Sequence, residues 1–143
     1  MKKTILVFVA IAFVAMAATT FPSISNAMGK KSVTSELANT NYKSCIEACN
    51  ACASECNSCA SMCIKDKDAV KMAHCTQLSL ECAALCTASA QLMSLGSENA
   101  KDVCAQCAKL CEKCAAECDK FTMECSKECA SSCRKAAKQC KDM

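Results

Sequence analysis

The 143-residue chain has no tryptophan, one tyrosine, one proline and two glycines. Each scarcity excludes something. So few glycines and prolines cannot supply the turns of a loop-rich or β-rich fold. Tyr42 and Phe121 are the only aromatics after residue 27, and no basic patch accompanies them, which argues against nucleic acid as a partner. Large apolar side chains are scarce as well. Leu, Ile, Val and Phe number 13 in residues 28–143, about a tenth. A globular core ordinarily draws on more than about a fifth, so another residue type must line the interior.

Sulfur is what the chain has in quantity. There are 18 cysteines, all beyond residue 44. In the stretch CIEACNACASECNSCASMC, Cys45, Cys49, Cys52, Cys56, Cys59 and Cys63 are spaced 4, 3, 4, 3, 4. Five steps over 18 residues average 3.6, the α-helical period, so the sulfurs stay on one face. Glu47, Asn50, Ser54, Glu55, Asn57 and Ser58 fill the other face. This is an amphipathic helix whose apolar stripe is cysteine, which behaves as a small buried hydrophobe when free.

The charged break KDKD, residues 65–68, ends that helix, with Asp66 or Asp68 available to cap the next. The second stripe reads Met72, Cys75, Leu78, Cys82, Leu85, Cys86 and Met93, with Ser89 in phase, and stops at Gly96. The third carries Cys104, Cys107, Cys111, Cys114 and Cys118, and the fourth Cys125, Cys129, Cys133 and Cys140, with Ala136 in phase. No Gly or Pro marks their boundary. A turn at residues 119–122 is expected because one double-length helix would leave half its sulfur face uncovered. Four helices of roughly 20–25 residues with short connections predict an all-α fold, an antiparallel four-helix bundle with a cysteine-lined core.

Residues 1–27 read as a signal peptide. Lys2 and Lys3 precede an uncharged apolar run, and Ser25-Asn26-Ala27 forms a small-residue cleavage site. The expected organisation is therefore a leader at 1–27, a short leader or helix at 28–40, and the bundle at 41–143. The expected location is exported, periplasmic or extracellular, with no membrane association after cleavage. Removing Lys2 and Lys3 leaves 15 basic residues against 14 acidic ones, so the excess of positive charge disappears.

Thiolates select soft ions such as Cu(I), Zn(II), Cd(II) or Ag(I). Iron–sulfur ligation runs in consecutive C-x₂-C steps on loops, and no two such steps are adjacent here. A redox C-x₂-C expects a βαβ setting, which is absent from the pattern. Disulfides within one helix are disfavoured, because β-carbons at i, i+3 and i, i+4 stand about 5–6 Å apart. A purely structural module bridged between helices stays open. Charge separates the metals: a thiol exchanging H⁺ for Cu⁺ stays neutral, whereas Zn(II) with four thiolates leaves a buried double negative charge. No Lys or Arg falls clearly on the stripes to offset it. The i, i+4 pairs, Cys45/Cys49, Cys52/Cys56, Cys59/Cys63, Cys82/Cys86, Cys107/Cys111, Cys114/Cys118, Cys125/Cys129 and Cys129/Cys133, are natural chelates. A zinc- or cadmium-sequestering protein of metallothionein type is the alternative.

The segments CNACASECNSCASMC (49–63), CAALCTASAQLM (82–93), CAQCAKLCEKCAAECDKF (104–121) and CSKECASSC (125–133) resemble the bacterial cysteine-rich four-helix-bundle copper storage proteins. The resemblance spans roughly residues 42–141. It implies several Cu(I) ions held by thiolates inside the bundle, with all 18 cysteines as candidate ligands and no catalysis. It also implies His and Met ligands near one open end, for which His74, Met72 and Met123 are the candidates. Phe121 stands where the family often has His. A homo-oligomer is left open by the sequence.

Overall fold

The computed structural model describes the backbone of residues 33–143 and the side chains of residues 42–143. The expected leader, residues 1–27, and residues 28–32 lie outside the described residues. Four helices account for all the regular structure described: α1 (Val33–Lys65), α2 (Ala73–Ser94), α3 (Ala100–Cys118) and α4 (Glu124–Lys141). Each packs against two neighbours, in the cycle α1–α2–α3–α4–α1. This is the expected bundle. No helix among the described residues is long and apolar enough to cross a membrane.

Helix α1 is longer than the pattern predicts, with 33 residues against 18 to 22 in the other three. It begins at Val33, within the stretch read as a leader or separate short helix, because nothing between there and Cys45 breaks a helix. The connection after it also differs from expectation. Neither Asp66 nor Asp68 caps α2; Met72 occupies that position and makes no side-chain cap bond. Asp66 instead accepts a hydrogen bond from the Asp68 N–H at 2.8 Å, and Asp68 takes Lys71 as an ion-pair partner. The two carboxylates order the turn between the helices, where successive three-residue bonds (Ala69 to Asp66, Lys71 to Asp68) carry the backbone round.

Gly96 ends α2 as its position suggests. Its φ of 63° lies in the left-handed region that glycine reaches without cost. The Gly96 N–H bonds Met93 O and the Ser97 N–H bonds Leu92 O, the paired closure of a Schellman motif. The turn between α3 and α4 needs no glycine. Lys120 and Phe121 donate back to Glu117 and Cys118, and the chain then extends at Met123 (ψ 142°), which starts α4. An Arg134–Asp119 ion pair joins this turn to α4, and Phe121 packs half-buried against the core.

The core these helices enclose consists almost wholly of cysteine and alanine. Ile46, Leu78, Leu85, Leu92 and Leu110 pack around it, partly buried. An interior of such small side chains gains less from burial than one of leucine, at about 0.8 kcal/mol per buried methylene.

Candidate metal centre

The alternating 4 and 3 rhythm puts one side chain per turn of each helix on the bundle axis. On α1 these are the six cysteines from Cys45 to Cys63, each at most 1% exposed. On α2 the same rhythm selects Cys75, Ser79, Cys82, Cys86, Ser89 and Met93, all fully buried. Leu78 and Leu85, expected on this stripe, flank it instead. On α3 the five predicted cysteines occupy the axis. On α4 the stripe is Ser126, Cys129, Cys133, Ala136 and Cys140, so Cys125 is displaced by one residue and is only half-buried. Ser79 and Ser126 are core positions that residue type alone does not mark. The spacing was the available signal: three residues back from Cys129 and four on from Cys75.

The sulfurs form a ladder, and its shortest rungs run between helices. Cys82–Cys111 and Cys86–Cys107 join α2 to α3 at 3.4 Å, with Cys86–Cys111 at 3.6 Å. Cys56–Cys129, Cys52–Cys133 and Cys56–Cys133 join α1 to α4 at 3.5, 3.6 and 3.6 Å. Cys82–Cys133 crosses between the pairs at 3.8 Å. Cys75–Cys118 and Cys45–Cys140 stand at the two ends, at 3.6 and 3.5 Å. Pairs within a helix are wider: Cys52/Cys56 and Cys107/Cys111 at 3.8 Å, Cys59/Cys63 at 3.9 Å, Cys129/Cys133 at 4.0 Å. All 18 cysteines are free thiols.

Four-sulfur groups sit in the middle: Cys52/Cys82/Cys86/Cys111, Cys52/Cys56/Cys82/Cys133 and Cys56/Cys114/Cys129/Cys133. Cys45/Cys49/Cys140 and Cys49/Cys86/Cys107 form three-sulfur groups toward one end. Cys52, Cys56, Cys82 and Cys133 each belong to two of the central groups, so ligands are shared from one group to the next. With a metal–sulfur bond of about 2.3 Å, the zinc–thiolate value, trigonal ligands stand about 4.0 Å apart and tetrahedral ligands about 3.8 Å. The ladder already has these spacings, so a soft ion would enter with small rotations.

No charged side chain among the described residues is buried in this core; the polar residues fully buried in it are Ser79, Ser89 and Ser126. Their hydroxyls are occupied. Ser89 donates to Leu85 O at 2.8 Å, Ser79 lies 3.8 Å from Cys114 Sγ, and Ser126 lies 3.9 Å from Cys59 Sγ. Burial pushes the Cys63 and Cys104 thiols up to about 11. Hydrogen bonding with Cys107 and Cys111 pushes Cys86 in the same direction. These thiols keep their protons near neutral pH.

The remaining candidates gather near the end where α2 begins and α4 starts. Met72 is 6% exposed and belongs to the core, and Met123 packs half-buried against it. His74 points outward: its side chain is 64% exposed and lies 3.8 Å from Glu117, beside Lys120.

A closed helical bundle with a shared ladder of thiols and no buried cation defines a class: proteins that sequester soft metal ions inside a helical core. Within that class, the model of the copper storage protein (Csp) family matches residues 38–143, and the chain belongs to this family. Solved structures agree. The Bacillus subtilis copper storage protein 3, in its apo form, is 35% identical, covers 71% of this chain and 96% of its own, and superposes with a TM-score of 0.66. A Cu(I)-bound copper storage protein, BsCsp3, gives 35% identity, 72% and 97% coverage and a TM-score of 0.70. A cytosolic copper storage protein from Streptomyces lividans, described with five coppers, gives 27% identity, 75% and 94% coverage and a TM-score of 0.71. No curated protein matches the sequence.

These relatives correct one expectation. The Streptomyces protein is described as cytosolic, so an exported, periplasmic or extracellular place does not follow from the sulfur-lined bundle. The apolar leader was the sole support for it, and those residues lie outside the described part.

Proposed function

We propose that this chain stores several Cu(I) ions as a thiolate array along the axis of its bundle, without catalysis. The observation that carries this is the central array of sulfurs on all four helices, linked at 3.4–4.0 Å in a core with no buried charge among the described residues. Each Cu(I) replaces one thiol proton, so loading leaves the interior neutral. Zinc or cadmium held by four thiolates would leave negative charge with no cation beside it, and burial of that kind is costly. The 17 buried cysteines are the proposed ligands, with Cys125 peripheral. Met72 and Met123 are proposed as thioether donors at the end where α2 begins, and His74, facing outward, is left out of the cage.

The test is an anaerobic Cu(I) titration of the reduced protein against a strong Cu(I) chelator, with thiols counted and released protons measured. The reading expects many ions per chain, up to about one per cysteine, and close to one proton released per ion near neutral pH. Saturation at four or five ions with zinc preferred, or two or more protons released per ion, would replace it with the divalent reading.

A further inference from the structure

At the end of the bundle where α4 finishes, a single thiol joins α4 to α1. Cys140 Sγ is 3.5 Å from Cys45 Sγ and 3.6 Å from Cys49 Sγ, and the three are close enough to share one ion. Cys140 also retains 5% of its surface, whereas Cys49 retains none. That surface forms part of a groove of about 350 Å³ between α3 and α4, walled by Cys140, Ala105 and Met143. One cysteine therefore belongs both to the ladder and to the wall of an open groove. At the opposite end Cys63, Cys75 and Cys118 are fully covered.

The groove has a chemical character of its own. Lys101, Lys109 and Lys141 line it, and no carboxylate side chain does. Lys141 is paired with Glu112, leaving Lys101 and Lys109 to give the rim its positive character. Met143 packs half-buried against the core and brings a thioether, a soft donor without charge, to the wall that holds Cys140. A positive rim around a soft site favours a soft ion that arrives in an anionic complex.

We propose that this groove is a port through which Cu(I) carried by two small-molecule thiolates passes to and from the core. The proposal rests on the Cu(I) reading above. In the transfer, the Cu–S bonds to the two carrier thiolates break and bonds to Cys140 and Cys45 form. The Cys140 proton goes to one departing carrier, which leaves as a neutral thiol, while the other leaves as a thiolate and takes its proton from solvent, so one core proton is exchanged per ion. Copper remains Cu(I) throughout, and no electron moves. Cys49, within reach of Cys140, then takes the ion inward toward Cys86 and Cys107, its partners in the next sulfur group.

Two variants of the full chain test this. Ala105→Trp fills the groove from its exposed wall, and Lys109→Glu reverses charge on the rim at an exposed site. Loading of the anaerobic apo-protein is followed by stopped-flow from a preformed Cu(I)–glutathione complex, and capacity is measured separately at saturation. With capacity at the wild-type value, loading is expected to slow at least fivefold in A105W. In K109E it slows two- to threefold at low ionic strength, and the difference disappears in high salt. Wild-type loading rates in both variants at full capacity would overturn the port and leave storage standing. Failure of the wild-type protein to take up several Cu(I) ions would instead remove the storage reading. Should A105W lose helicity, K109E decides alone: a wild-type rate at low salt overturns the port.

Discussion

The middle of the sulfur ladder and the layer nearer the α3–α4 turn are built on the same spacing but from different atoms. In the middle, Cys52, Cys56, Cys82, Cys86, Cys111 and Cys133 meet across helices at 3.4–3.9 Å and share overlapping four-sulfur groups. One layer on, Ser79 and Ser126 occupy the axis, and Cys59 and Cys114 reach their partners at 3.8–4.0 Å. Beyond that layer sulfur returns in Cys63, Cys75 and Cys118. A hydroxyl is a hard donor that a soft monovalent ion does not seek, so the serine layer thins the array without opening it. On the proposed reading, capacity is concentrated in the middle, with the end cluster set apart from it by the serine layer.

The largest effect that tests this comparison is on stability. A core of cysteine and alanine drives folding weakly, while every occupied site adds free energy to the folded state alone. That contribution is about 2.7 kcal/mol per site when free ion exceeds Kd a hundredfold. Cu(I) loading should raise the melting temperature by about 20 °C or more, read by circular dichroism on apo and loaded protein. No shift with several ions bound would place the metal outside the cooperative core.

Substitution then separates centre from edge. Cys133→Ser, in two four-sulfur groups, should lower the saturating copper count by about two ions, whereas Cys125→Ser should leave it unchanged. Equal losses would mean that position on the axis does not matter. Restoring sulfur to the thin layer should act the other way: Ser79→Cys and Ser126→Cys are each expected to add about one ion. Unchanged capacity in the double variant would show that the layer limits nothing.

A smaller effect follows from pH. The Cys63 and Cys104 thiols are raised in the folded state to about 11 from an ordinary 9.0. A raised folded value means that the unfolded chain loses these protons first. Their contribution is intact below pH 9 and is lost as pH climbs toward 11. The melting temperature of the apo-protein should fall across that interval, while the copper-loaded protein, which has no such protons to lose, should hold. The smallest change expected is at His74. Its exposed pairing with Glu117 is worth at most about 0.5 kcal/mol, so His74→Ala should shift the melting temperature by less than about 2 °C.

Much of this was legible in one dimension. The run from Cys45 to Cys63 gave its helix and its buried face directly, since a strict 3.6 average admits no other regular structure. Gly96 marked a helix end because only glycine takes a φ of 63° there without strain. Where the reading slipped, it followed residue type instead of phase. Leu78 and Leu85 are apolar and read as axial, yet the rhythm gives the axis to Ser79, Cys82 and Cys86, with Ser89 in phase as expected. Cys125 was chosen over Ser126 for the same reason.

The sequence by itself determined that the chain forms helices, that each carries one face of sulfur, and that so many thiols with so little charge suit soft monovalent ions. Those are properties of single helices, set by period and composition. The tertiary structure alone decided which sulfurs meet. The closest pairs, such as Cys82 with Cys111 and Cys45 with Cys140, are 29 and 95 residues apart in the chain. Their separation depends on the register between neighbouring helices, which short-range spacing cannot encode.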